Sequence, residues 1–192
     1  MDGNRRWARK YGLKILAGHE KVAFGVIEPL IKRCIELEIP YLTLWAWSTE
    51  NWERDKKEVA GIMKIFKKGL EKSVERFYKM GVKLRVLGDL SKFDKDIREG
   101  IAKWVEASKK NKTITLSIAI NYGGRDEILR AIKKLRENSK FEIRNSKITE
   151  KDFAQFLDTA GMPDPDLIIR TGGARRLSGL MPWQSIYAEL YF

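Results

Sequence analysis

Residues 41–87 decide the fold: YLTLWAW (41–47), STENWERD (48–55), KKEVAGIMKIFKKGLEKSVERFYKM (56–80) and GVKLRVL (81–87). The first and last pieces are short, mostly apolar runs with β-branched and aromatic residues, the pattern of buried strands. Between them Val59, Ile62, Met63, Phe66, Leu70, Val74 and Phe77 recur at helical spacing, which predicts one amphipathic helix over residues 56–80. Gly81 stops it, since glycine tolerates the left-handed backbone that ends helices.

Working outward, residues 113–121 and 166–171 also read as buried strands. Helices are predicted over residues 18–38, 94–109 and 125–138, with a short one after Thr149, where Asp152 sits near the capping-box position. Pro29 should kink or restart the first of these. Strand–helix alternation predicts an α/β fold with a mostly parallel central sheet flanked by helices, and ligands bound beyond the carboxyl ends of its strands. No linker, repeat or low-complexity stretch divides the chain, so residues 1–192 are read as one domain.

Composition narrows the function. Hydrophobic residues make up 43% of 192 and charged residues 33%, enough apolar material for a core, which argues against disorder or a collagen-like chain. A single cysteine, Cys34, excludes an internal disulfide and a thiolate zinc site, and a single histidine, His19, excludes a histidine-rich metal centre. The longest apolar runs, such as residues 42–47, fall far short of the roughly 18–20 residues of a spanning helix. The polar first residues carry no secretory signal, so a soluble, cytoplasmic protein of a reducing compartment is expected. The net charge of +12 attracts polyanions: nucleic acid, anionic lipid surfaces or phosphorylated small molecules. The lysines at 64, 67, 68, 72 and 79 have a plainer reading, a solvated helix face.

The loops that follow the strands hold the chemistry. In the last, a strand ends in Arg170 and runs through Thr171, Gly172 and Gly173 to Arg175, Arg176 and Ser178. Glycines let a backbone approach a phosphate, and arginine offers planar, often bidentate donors. The same pattern also suits a glycine turn flanked by surface arginines. Asp2-Gly3-Asn4-Arg5-Arg6-Trp7 combines a carboxylate with two guanidiniums. If a helix begins there it suits an anion, with Asp2 as a hard-oxygen ligand for Mg²⁺; otherwise it is a frayed, charged terminus. Gly18-His19 at a probable helix start favours an anion contact, although a lone histidine is more often structural. There is no P-loop, no G-x-G-x-x-G after a strand, no nucleophile elbow and no D-D-x-x-D cluster. Many phosphate donors, few carboxylates and no nucleophile suit binding and ionising a phosphorylated substrate better than hydrolysing it.

Taken together, these loops resemble the cis-prenyltransferase family, which includes the undecaprenyl diphosphate synthases. The resemblance spans essentially the whole chain, in order: MDGNRRWA (1–8), Gly18-His19, TLWAWSTENW (43–52), NYGGRDEI (121–128), DLIIRTGG (166–173), Arg176-Leu177-Ser178, Trp183-Gln184 and YAEL (187–190). It implies an enzyme condensing isopentenyl diphosphate with an allylic diphosphate, farnesyl or geranylgeranyl diphosphate, into a Z-polyprenyl diphosphate lipid carrier. It implies Mg²⁺ dependence, a homodimer, peripheral membrane association through the lipid product and no nucleic-acid partner. By position, Asp2 resembles the metal-associated aspartate that assists departure of the allylic diphosphate, and Glu189 the second acidic contributor near the metal. Gly3, Asn4, Arg6, Trp7 and His19 resemble the allylic diphosphate site; Arg170, Arg176 and Ser178 resemble that of isopentenyl diphosphate. Ser48, Asn51 and Trp52 fall where the family positions the reacting carbons and supports proton loss, with Arg54 a further basic position.

A hydrocarbon product needs a tunnel between helix and sheet. Met63, Phe66, Leu70 and Phe77 are its candidate lining, each equally suited to plain core packing. The chain departs from the family at Arg5, often glycine; at Ala174, commonly glutamate; at Gly179, Met181 and Pro182; and at Ile15 and Leu16, where an arginine often precedes the Gly-His pair and only Lys14 could substitute. A strand leading into the aspartate and a C-terminal Arg-x-Gly segment reaching a partner subunit are expected outside residues 1–192. Two other readings stand beside the synthase. A non-catalytic subunit of a prenyltransferase heteromer would typically have lost Asp2, Arg170 and Arg176, and a basic nucleic-acid-binding domain would show steeply salt-dependent affinity.

Overall fold

A computed structural model describes residues 1–138 and 148–192. Strands β1 (Tyr41–Ser48), β2 (Val82–Leu87) and β3 (Ile114–Tyr122) form a parallel sheet in the order β1-β3-β2. Tyr41 stands opposite Thr115 and Leu44 opposite Ile118 on one side of β3, with Val82 opposite Ile114 and Leu87 opposite Ala119 on the other. The central strand is the most deeply buried, which is why its sequence is an apolar run rather than an alternation.

Helices α1 (Asn4–Lys10), α2 (Ile15–Gly25) and α3 (Ile27–Glu36) precede β1. The single helix predicted over residues 18–38 is thus two, broken between Gly25 and Ile27. Pro29 falls in the first turn of α3, where backbone N–H groups have no intrahelical acceptor to lose. α4 (Lys56–Lys79) links β1 to β2, and the Asp55 carboxylate caps it by accepting from the N–H groups of Lys57 and Glu58 at 2.9 and 3.2 Å. Gly81, at φ 72°, ends it as predicted. α5 (Lys95–Ser108) links β2 to β3, α6 (Gly124–Glu137) follows β3, and Thr149 and Asp152 form the capping box of α7 (Glu150–Ala154).

Residues 166–171 correct the reading from sequence. Their strand, β4 (Leu167–Ile169), does not join the central sheet but pairs in parallel with β5 (Glu189–Tyr191), a strand too short to show a period. Only Ile168 of β4 is buried. Among the described residues no helix is long and apolar enough to cross a membrane.

The sheet, α2, α4 and α5 line an apolar cavity. Asn4 and His19 line it near the carboxyl ends of the strands. Phe77 and Trp104, stacked with centroids 5.7 Å apart, line it toward the opposite ends. Of the four residues expected to line a tunnel, Phe66, Leu70 and Phe77 do so, whereas Met63 packs against the neighbouring core around Trp47 and Ile62.

Candidate active site

Two segments far apart in sequence meet beside the polar end of the cavity, which Met1 and Asn4 line. The Asp2 N–H donates to Thr171 Oγ1 at 3.0 Å, and the Thr171 hydroxyl donates back to the Asp2 carbonyl at 2.9 Å. Gly3 (φ 90°) and Gly172 (φ 87°) then pass so closely that a Cβ on Gly3 would meet the Gly172 Cα at 3.0 Å. Both positions therefore require glycine for its conformation and for its lack of a side chain.

This contact sets Asp2 against Arg170, whose Nη2 and Nε donate to Asp2 Oδ2 at 2.9 and 3.3 Å. Asp2 Oδ1 accepts from the Gly3 N–H at 2.6 Å and lies 3.9 Å from Arg6, whose guanidinium also donates to the Gly172 carbonyl. Partial burial pushes the Asp2 pKa up, but the Arg170 hydrogen bond, the Gly3 N–H and the charges of Arg170 and Arg6 outweigh it. The carboxyl stays below its ordinary value and ionised at neutral pH. The other edge of Arg170 donates from Nη1 to Ser178 Oγ at 2.8 Å and to the Arg176 carbonyl. Arg176 Nε donates to the same Ser178 oxygen at 3.2 Å, and Ser178 itself has a left-handed φ of 53°.

A second cluster lies beside the first. His19 Nδ1 and Asn4 Nδ2 are 3.5 Å apart, and His19 Nε2, which is buried, has no hydrogen-bond partner; Glu58 Oε1 is its nearest ion-pair neighbour at 4.0 Å. Glu58, whose side chain is only 10% exposed, also holds Arg54 at 3.1 Å and Arg5 at 3.7 Å. Burial lowers the His19 pKa, and the charges of Arg54 and Arg5 add to this against the opposing effect of Glu58, so the ring is neutral at pH 7. Glu58 was missed from the sequence. Its i, i+4 spacing from Arg54, just inside the helix capped by Asp55, was the available signal.

The turn after β1 (Thr49–Glu53, a 3₁₀ helix) is fixed by Ser48 and Asn51, which cap one another: the Ser48 N–H donates to Asn51 Oδ1 at 3.3 Å, and the Ser48 side chain accepts from the Asn51 N–H. Trp52 Nε1 donates to Asn121 Oδ1 at 2.8 Å, and Asn121, at φ 47°, donates to the Asp89 carbonyl at 2.7 Å. The three loops at the carboxyl edge of the sheet are thereby stitched together. Behind them, buried Glu127 accepts from the Tyr122 hydroxyl at 2.6 Å, the Asp158 N–H at 2.9 Å and Gln184 Nε2 at 3.2 Å, while Arg130 grips Asp158 at 2.7 and 2.6 Å.

The fold thus brings Asp2, Gly3, Arg6, Arg170, Arg176 and Ser178 into one hydrogen-bonded group, and Asn4, His19 and Arg54 into another around Glu58. Ser48, Asn51 and Trp52 share one turn. Trp7 lies outside both groups, 37% exposed and packed on Tyr11 at 5.1 Å. Glu189 is the first residue of β5, paired with Leu167, whereas Arg170 follows the far end of β4 and donates its N–H to the Tyr191 carbonyl at 2.9 Å. Among the described residues no group of three or more histidine, cysteine, aspartate or glutamate side chains is arranged to hold a metal. Of the departures from the family, Leu16 packs where a Cβ on Gly61 would stand, at 2.4 Å, closing α2 onto α4. Pro182 and the carbonyl of Gly179 press on Gly124 at the start of α6.

A family model described as putative undecaprenyl diphosphate synthase matches residues 1–192. An isoprenyl transferase of Aquifex aeolicus is 44% identical over 192 residues, covering the whole chain and 80% of that protein. One of Clostridium perfringens is 42% identical over 193 residues, covering 100% and 76%. Among solved structures, lavandulyl diphosphate synthase from Lavandula x intermedia, in complex with dimethylallyl diphosphate, superposes with a TM-score of 0.94 at 32% identity, covering 100% of this chain and 83% of that one. A probable undecaprenyl diphosphate synthase from Campylobacter jejuni gives 0.77 at 38% identity, covering 86% and 77%. Matches of that extent, in sequence and in fold, assign the chain to the undecaprenyl diphosphate synthase family of isoprenyl transferases.

Proposed function

We propose that this chain condenses isopentenyl diphosphate with an allylic diphosphate, farnesyl or geranylgeranyl diphosphate, and extends it into a Z-polyprenyl diphosphate. One observation carries the reading: a long apolar cavity has at its polar end the orphaned ring nitrogen of His19, beside the Asp2–Arg170 cluster. A ligand with a diphosphate head and a hydrocarbon tail matches both ends.

In this reading Gly3, Asn4, Arg6 and His19 hold the allylic diphosphate, and Arg170, Arg176 and Ser178 hold isopentenyl diphosphate. When the allylic C–O bond breaks, negative charge develops on the departing oxygens, and donors fixed beforehand stabilise it more than they stabilise the ground state. The alkene carbon of the second substrate forms the new C–C bond, and that unit then loses a proton. The turn bearing Ser48, Asn51 and Trp52 positions the reacting carbons within about 3–3.5 Å. Asp2 fits Mg²⁺, being an ionised, partly exposed carboxylate; Mg²⁺ commonly takes one or two carboxylates plus substrate phosphate oxygens. Bound there, the ion would neutralise charge on the leaving diphosphate. The exposed apolar residues of β4 and β5, including Ile169, Leu190 and Tyr191, support the expectation of a homodimer.

The deciding experiment incubates the chain with Mg²⁺, radiolabelled isopentenyl diphosphate and a panel of allylic primers, then measures chain length. Arg176→Ala should raise the KM for isopentenyl diphosphate while leaving that for the primer near its original value. Absence of any elongated product from the folded protein would overturn the reading.

A further inference from the structure

Residues 7–14, WARKYGLK, form a surface outside both hydrogen-bonded groups of the candidate site. Every residue but Ala8 is exposed; Tyr11 is 59% and Leu13 46% accessible, and the Trp7 and Tyr11 rings lie together at 5.1 Å. Across residues 3–19 the chain carries Arg5, Arg6, Arg9, Lys10 and Lys14 and no acidic residue. Among the described residues Arg9, Lys10 and Lys14 take part in no ion pair, whereas Lys67, Lys79, Lys95 and Arg130 on α4, α5 and α6 do. Nearby on α2, Phe24 is exposed with the Lys68 ammonium 5.5 Å above its ring. The inner faces of α1 and α2 meanwhile supply Asn4, His19, Val22 and Ala23 to the cavity wall. Amphipathic aromatic rings and aliphatic side chains interleaved with unpaired cations are what the interface of an anionic bilayer accepts: the rings and Leu13 enter the headgroup layer, while the cations meet lipid phosphates.

We propose that residues 7–14 dock the protein on an anionic membrane surface, setting the polar end of the cavity against the bilayer. The consequence for the proposed reaction rests on that reading: a hydrocarbon product leaving past α1 and α2 enters lipid without crossing water. The docking itself does not rest on it and is measured without substrate. Charge complementarity selects the occupant, because a second copy of the same basic surface would repel it.

The test is co-sedimentation of the full chain with vesicles of phosphatidylcholine alone and with 30% phosphatidylglycerol, at physiological salt. The proposal expects at least tenfold stronger partition onto the anionic vesicles. Arg9→Glu/Lys10→Glu should abolish that preference, and Tyr11→Ser/Leu13→Ser should reduce partition several-fold. Both variants should keep the wild-type circular dichroism spectrum and, without vesicles, turnover within twofold. Equal partition onto both vesicle types, or variants that sediment like wild type, would overturn the proposal. So would a duplex DNA that binds as tightly at the same salt and is indifferent to Tyr11→Ser/Leu13→Ser, or variants that only change the oligomeric state. Partition without prenyl transfer would leave the docking standing and remove the proposed reaction.

Discussion

Replacing Trp104 by alanine should lengthen the product by about one five-carbon unit. Trp104 is 3% exposed, stacks on Phe77 and lines the cavity at the end away from Asp2. The indole N–H has no partner, so its removal orphans no acceptor. From Glu58, beside His19, α4 runs 19 residues to Phe77, about 28 Å at the helical rise. Taking each carbon at about the 30 Å³ share of a water molecule, a five-carbon unit needs roughly 150 Å³. Truncating a buried tryptophan to alanine costs about 3–5 kcal/mol and removes the nine ring atoms of the indole, enough to admit the five carbons of one unit and too few for two. The space gained is thus close to one unit. The assay is chain-length analysis after dephosphorylation, beside urea denaturation to show that the variant is folded; Trp104→Leu serves if alanine costs too much stability. A folded, active Trp104→Ala enzyme with an unchanged product distribution would refute the placement of the floor.

His19 is the only histidine, so its ring signals are unique in a proton NMR titration, and the midpoint should lie below 6.5 because burial and the nearby guanidiniums disfavour the charged form. The fold therefore loses stability from this group as pH falls below 6.5, and inorganic pyrophosphate should raise the midpoint by placing negative charge against Nε2; a midpoint at or above 6.5 in the free protein contradicts the geometry. Burial pushes the Asp158 pKa up, but the Arg130 fork, the Gly88 N–H and Lys134 hold it below 3.8. Its stabilisation is therefore complete above that value and lost as pH falls through the folded one. Arg130→Gln should cost about 3–5 kcal/mol in urea unfolding at pH 7, as for breaking a buried pair, and should flatten the acid limb of the stability profile. A loss under 1 kcal/mol would show the fork to be an ordinary surface ion pair.

The central sheet was legible because β1, β2 and β3 are buried and carry long apolar runs, and α4 because seven apolar residues keep one helical face. β4 and β5 were harder. Three residues cannot display a period, and the exposed Leu167 and Ile169 look in sequence like core. The site was legible in its loops but not in its pairings. Nothing local to Asp2 announces Arg170, and Thr171, which ties the two segments, looked like a spacer before the glycines. Glu58 was hidden because a glutamate in a first helical turn ordinarily reads as a response to the helix dipole. The left-handed Asn121 is likewise invisible until the Trp52 and Asp89 hydrogen bonds that hold it are seen.

The hydrogen bonds between Asp2 and Thr171 span 169 positions of the chain. Closing a loop of that size costs about 4.5 kcal/mol in chain entropy beyond the constant term, and no fragment can recover it. Asp2 is synthesised long before Arg170 and Thr171, so the pairing waits until both have been made and β4 has formed. The cluster that joins the two ends therefore assembles as an all-or-none event at the close of folding, and half-made molecules lack it.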